Sequence, residues 1–142
     1  MSANNKSITL PSGEVVFGEE SICPDGHFIW NEALNGLTRV PPNITVEGRI
    51  YKTAFELEKV RRILGDEPLI ITSWYRDRAA NDKIPNSAPN SRHLFGDGVD
   101  FKCSHISPRQ IYRALDSWHQ KGGLAVYQYH VHIDWRGFRS RW

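Results

Sequence analysis

Apolar residues recur at Ile50, Ala54, Leu57, Val60 and Leu64, close to a 3.6-residue period, with charged residues filling the gaps between them. That pattern predicts an amphipathic helix over residues 46–64, stopped by Gly65. A second helix opens at Ser107-Pro108-Arg109-Gln110, where serine suits the N-cap and proline the first turn. Ile111, Leu115 and Trp118 supply its apolar stripe, and Gly122-Gly123 ends it. Residues 30–36 read as a short helix closed by glycine, and Pro41-Pro42-Asn43 forces an extended link after it. The run 68–75, rich in β-branched residues, predicts a buried strand that carries Ser73, Tyr75 and Arg76 at its C-terminal end. Residues 99–101 predict another strand, 124–135 two strands or one bent strand, and 14–17 a short one. Residues 1–12 are polar and expected to fray, while 77–90, rich in Asn, Pro and Ala, read as loop. The sum is an α+β fold with two main helices packed on a small, mostly antiparallel sheet. Residues 1–22 form a partly ordered N-terminal extension and 23–142 the domain.

A length of 142 residues suits one domain with its own core. A net charge of +2 implies no large nucleic-acid footprint, although Arg136, Arg139 and Arg141 make the C-terminal end locally basic. No segment approaches the roughly 20 apolar residues of a membrane span, and residues 1–9 lack the apolar run of a Sec-type signal peptide. Cys23 and Cys103 form no CxxC motif and are expected to be free, partly buried thiols.

Histidines and carboxylates concentrate in two stretches, Ser91-Arg92-His93-Leu94-Phe95-Gly96-Asp97-Gly98-Val99-Asp100 and Tyr129-His130-Val131-His132-Ile133-Asp134. On a continuous helix His93 and Asp100 would stand roughly 10 Å apart, too far to share one ion. Gly96 and Gly98 suit a tight turn instead, across which the two could converge. The alternation after Tyr129 places His130, His132 and Asp134 on one face of a strand. Two histidines and an aspartate leave a fourth zinc position for water, the arrangement of a catalytic site. The same residues also fit a plain turn with Asp100 as a cap, so spacing alone leaves both readings open. His27, His105 and His119 read as ordinary core or surface histidines.

Ser73-Trp74-Tyr75-Arg76, Asn81, the 91–100 stretch and His132-Ile133-Asp134 together resemble the D-Ala-D-Ala carboxypeptidase family of zinc peptidases. The closing residues 136–142 resemble a branch of short members found in phages and bacteria. The resemblance covers about residues 28–142. It implies a fold shared with hedgehog signalling domains and one Zn²⁺ ion per chain, held by His93, Asp100 and His132. It further implies Arg76 as the group meeting the substrate's carbonyl or carboxylate, with Ser91, Tyr75 and Ser73 as substrate contacts. The substrates it implies are peptidoglycan stem peptides, cut at a D-amino-acid bond, foremost by D-Ala-D-Ala carboxypeptidase action. Cross-link endopeptidase action of the endolysin type is the alternative, and a zinc-bearing but silent binding module, as hedgehog domains exemplify, is a third. A monomer acting at the bacterial cell wall or periplasm is expected, with the export route open. One departure matters: many members carry a glutamate three residues before the last histidine ligand, and Tyr129 stands there. His130 and Asp134, on the same strand face, are the candidate replacements for that base, and Asp97 is a third. Asp134 could instead orient His132 through its other ring nitrogen. Trp74, Tyr75, Trp118, Tyr127, Tyr129 and Trp135 read chiefly as core, with a cleft-lining role for some.

Overall fold

The computed structural model describes residues 6–142. Strand β1 (Ser7–Thr9) pairs antiparallel with β2 (Val15–Phe17). Part of the stretch expected to fray is therefore a hairpin, because Leu10 and Val16 bury to 2 % and 1 % exposure; residues 1–5 lie outside the described residues. Helix α1 (Trp30–Ala33) follows, its first turn closed by the Glu32 carboxylate accepting from Ile29 N–H at 2.9 Å. Helix α2 (Ile44–Ile63) starts two residues before the expected position, because Asn43 Oδ1 accepts from Val46 N–H at 2.9 Å and caps it. Ile50, Ala54, Leu57 and Val60 are its buried stripe. After β3 (Ile70–Ser73), the presumed loop contains a short helix α3 (Arg78–Asp82), capped by Asp77 Oδ1 accepting from Ala80 N–H at 2.8 Å. Strand β4 (Gly98–Lys102) and helix α4 (Pro108–Asp116) come next, and Ser107 and Gln110 form a reciprocal capping box at the start of α4. Residues 124–135 resolve into two strands, β5 (Gly123–Val126) and β6 (Val131–Asp134), and β7 (Ser140–Arg141) completes the set.

The five-stranded sheet has the order β3-β4-β6-β5-β7, antiparallel throughout except where β7 runs parallel to β5. The fold is α+β. Val99 and Phe101 of β4, with Val131 and Ile133 of β6, belong to the hydrophobic core. Because side chains alternate along a strand, Asp100 and His132 point to the opposite face. They are also direct partners across the β4–β6 pair. The central strands thus hold two of the candidate ligands in register. Cys23 and Cys103 are free thiols, each half-buried.

The C-terminal arginines are tied into the fold. Arg139 and Arg141 both reach Asp116 Oδ1, at 2.8 Å and 2.7 Å, fastening the segment around β7 to the end of α4. The hydrogen bond from Arg141 lowers the Asp116 pKa, burial opposing it weakly and Arg139 reinforcing it. A lowered folded-state pKa contributes stability above the unfolded value of about 3.9 and loses it as pH falls through the folded value. Asp116→Asn is therefore expected to melt slightly lower than the parent near neutral pH. The gap, small because these charges are solvent-screened, closes in strongly acidic buffer. Thermal melts across that range check it, and a gap that persists in acid would mean the carboxylate charge is not its source.

Candidate metal centre

His93 lies in a 3₁₀ turn, Arg92–Phe95, that begins at Ser91, whose Oγ accepts from His93 N–H at 3.2 Å. Gly96 ends the turn at φ +82°, a left-handed conformation that glycine adopts without strain. The chain then enters β4 at Gly98, where a Cβ would come within 2.9 Å of His93 N. This reversal brings His93 and Asp100 together as the two glycines suggest. Three further contacts lock it to the segment that follows β3: Trp74 Nε1 donates to Gly96 O at 3.0 Å, Arg76 N–H donates to His93 O at 3.1 Å, and His93 Nδ1 bonds to Trp74 O at 2.7 Å.

One ligand atom each from His93, Asp100 and His132 lies within 4.8 Å of the others, the one such group among the described residues. His93 Nε2 is 3.2 Å, and His132 Nδ1 2.9 Å, from Asp100 Oδ1. The opposite ring nitrogens are already engaged. His93 Nδ1 meets a backbone carbonyl, and His132 Nε2 meets Asp134 Oδ2 at 2.7 Å. An imidazole whose outer N–H is held by a carbonyl or carboxylate has its inner nitrogen free for a metal, and metal-binding histidines are ordinarily supported this way. Two imidazoles and one carboxylate, so supported, fit a zinc ion with an open coordination position.

Burial works against the Asp100 carboxylate, but hydrogen bonds from His132 and His93 outweigh it and hold its pKa well below the usual carboxylate range. Burial likewise opposes charge on His132, yet its hydrogen bonds to Asp100 and Asp134 leave its pKa raised. Arg76, 9 % exposed, completes this corner. Its Nη2 is 3.3 Å from Asp100 Oδ2, its Nε donates to Ser73 Oγ at 3.0 Å, and its Nη1 to Asn81 Oδ1 at 3.4 Å.

A cleft of about 650 Å³ lies over the cluster, with Ser91, His130 and Trp142 among its walls. A second arm of about 660 Å³, reaching Glu32 and Arg39, shares Arg76, Asp100 and His130 with it as wall residues. Ser73 and Tyr75 line this second arm, Tyr75 with only 3 % exposure. The three candidate bases part company here. His130 lines both arms, its Nε2 3.9 Å from Asp100 Oδ2. Asp134 is wholly buried behind His132: Oδ1 accepts from Gly123 N–H, Arg136 N–H and Arg136 Nε, and Oδ2 from His132 and Arg136 Nη2. Its carboxylate does not line the cleft, and its Oδ2 lies 2.7 Å from His132 Nε2. Asp97 is 4 % exposed and held by both arms of the Arg92 fork, at 2.9 and 2.6 Å. His27 and His105 are exposed beside Glu58 and Glu67, and His119 is buried against Asp134 O, all outside the cluster.

Sequence reasoning overlooked Arg136, which grips Asp134 with two parallel hydrogen bonds of 2.9 and 2.7 Å. It also overlooked Trp142, whose ring centroid is 5.3 Å from that of His132. Asn81 stood in the motif without a role, and its contact with Arg76 supplies one. Of the aromatic residues expected in the core, Trp74 and Tyr75 are there, Trp135 packs partly against it, and Tyr127 lines the cleft. Tyr129, 73 % exposed, does neither. The family model described as peptidase M15 matches residues 27–134, most of the chain. No curated protein matches it.

Proposed function

The chain belongs to the peptidase M15 family of zinc metallopeptidases, and from that premise we propose that it hydrolyses D-amino-acid peptide bonds in the stem peptides of bacterial peptidoglycan, using one Zn²⁺ per chain. The observation that carries this is the convergence of His93, Asp100 and His132 beneath a cleft, with both outer imidazole nitrogens fixed. A zinc ion held by His93, Asp100 and His132 would supply Lewis acidity toward a carbonyl and make a nearby water more acidic. Arg76, braced by Ser73 and Asn81, offers a planar cationic fork to a substrate carboxylate or developing oxyanion. His130 Nε2 takes a proton from the water that attacks the carbonyl and returns it to the leaving amine; its position on both arms of the cleft supports this role over Asp134 and Asp97. Ser91, on the cleft wall, contacts the peptide. Such a substrate puts the site of action at the cell wall or periplasm.

Removal of a terminal D-alanine is the first reading, with Arg76 on the free carboxylate. The second arm of the cleft favours a second reading, cross-link endopeptidase action, because it leaves room for substrate residues on both sides of the cluster. Metal content by mass spectrometry, with product analysis on a D-Ala-D-Ala pentapeptide and on cross-linked muropeptides, tests both. Chelator-sensitive release of D-alanine supports the first, and cleaved cross-links the second. Zinc without cleavage of either substrate points to a binding module, and a chain that takes up no zinc refutes the site.

A further inference from the structure

Tyr127 and His130 are the first and last residues of the four-residue connection between β5 and β6, and Tyr127 N–H donates to His130 O at 2.9 Å. Side chains opposite each other across a hairpin fall on one face. Here the Tyr127 and His130 rings stack, centroids 4.8 Å apart and planes inclined by 12°. The hydroxyl of Tyr127 is in turn fixed from outside the hairpin: Trp142 Nε1 donates to Tyr127 Oη at 2.9 Å. Trp142 is held by the backbone, its N–H donating to Leu124 O at 3.3 Å and its carbonyl accepting from Val126 N–H at 3.2 Å. Its indole also lies under the Arg136 guanidinium, 5.0 Å from the ring centre.

These three rings are not core. Tyr127 and Trp142 are 45 % and 49 % exposed, and Arg141 anchors the strand beside them through Asp116 and Gly122 O without either ring. All three line the cleft. An imidazole that is one-third exposed at a hairpin end has several rotamers open to it unless something selects one. The stack selects the one that aims Nε2 at Asp100 Oδ2.

We propose that Tyr127 and Trp142 are positioning residues, a relay in which the Trp142 indole fixes Tyr127 and the Tyr127 ring fixes the His130 imidazole at the edge of the metal cluster. The inference rests on the reading of His130 as the proton acceptor, and it explains how a histidine at a hairpin end keeps one orientation toward the cluster.

The test has a structural arm and a kinetic arm. In histidine-labelled protein, with and without zinc, the His130 ring protons are expected to carry an upfield ring-current shift. Tyr127→Ala should abolish it, while Tyr127→Phe and Trp142→Phe, which remove opposite ends of the same Nε1–Oη hydrogen bond, should each weaken it without abolishing it. On peptidoglycan fragments, Tyr127→Ala is expected to lower kcat about tenfold with KM and zinc content unchanged. Tyr127→Phe, which keeps the stacking ring but not the hydroxyl that Trp142 holds, should restore only part of that loss. Tyr127→Ala added to His130→Ala should slow the reaction no further, since residues acting as one unit are not additive. A ring-current shift that survives Tyr127→Ala overturns the relay, as does a multiplicative loss in the double variant. Should His130→Ala keep full activity, the base assignment falls, while the resonance arm still decides whether the relay holds the ring. Should Tyr127→Ala fail to fold, Tyr127→Phe and Trp142→Phe carry the resonance arm.

Discussion

Asp100→Ala is expected to bind no stoichiometric zinc and to hydrolyse no peptide, whereas Asp134→Asn keeps the ion with about 10- to 100-fold lower affinity. Asp100 is the one anionic member of the ligand set, and Oδ1 faces both histidines, at 3.2 and 2.9 Å. Without it, two neutral imidazoles remain beside the Arg76 guanidinium, a site that repels a dication. Asp134 acts one step removed. Its two oxygens receive three and two hydrogen bonds, and every partner is a donor. An asparagine amide sets N–H₂ against donors whichever way it turns. Turned one way it faces Gly123 and Arg136; turned the other it faces His132 Nε2 and reverses the tautomer that frees Nδ1. Competition with a chromophoric chelator measures both variants, and Asp100→Asn controls for the lost volume. Tight, stoichiometric zinc on Asp100→Ala would remove the carboxylate from the ligand set. Parent-like affinity in Asp134→Asn would show that the His132 tautomer needs no such support.

The difference between these two aspartates was only half legible in the sequence. Alternation in the 129–134 stretch puts His132 and Asp134 on one face, and Gly96 and Gly98 announce the reversal that returns Asp100 to His93; both follow from backbone geometry over a few residues. Which carboxylate faces the cleft depends instead on Arg136 and Gly123 closing over Asp134, and Gly123 belongs to another strand. Ser73 and Tyr75 show the same limit. A strand of regular alternation from 68 to 75 would present alternate side chains to the site. The register with β4 shifts between Ile71 and Ser73, so Ser73 pairs with Asp100 and braces Arg76. Tyr75 turns inward toward the second arm. Trp142 was beyond reach because its place depends on β7 adding in parallel to β5, a pairing that no local pattern signals. The helix starts were easier than the end of α4, which stops at Asp116 and leaves Trp118 outside it, well before Gly122. The caps at Asn43 and Ser107 each lie within a single turn of sequence.

Arg76→Ala is expected to lower kcat/KM on the pentapeptide about 10²- to 10³-fold, the scale of removing one preorganised charged donor, while leaving one zinc bound. The guanidinium contributes no ligand atom, and its removal takes a positive charge away from Asp100, so metal affinity has no electrostatic reason to fall. Burial already lowers its pKa from the ordinary arginine value, and the attraction of Asp100 counters this, so the fork is held charged in a poorly solvated corner where its field is little screened. Arg76→Lys is not expected to rescue. A single ammonium cannot bond Ser73, Asn81 and Asp100 and still present two parallel donors to a substrate. Where the loss falls then separates the two readings of the cleft. If Arg76 grips a terminal carboxylate, KM for the pentapeptide rises steeply and cross-linked muropeptides are barely affected. If it stabilises charge developing at the scissile carbonyl, kcat falls alike on both substrates with KM unchanged. Near-parental kinetics on both in Arg76→Ala would take the arginine out of the chemistry and leave it as a brace for Asp100 alone.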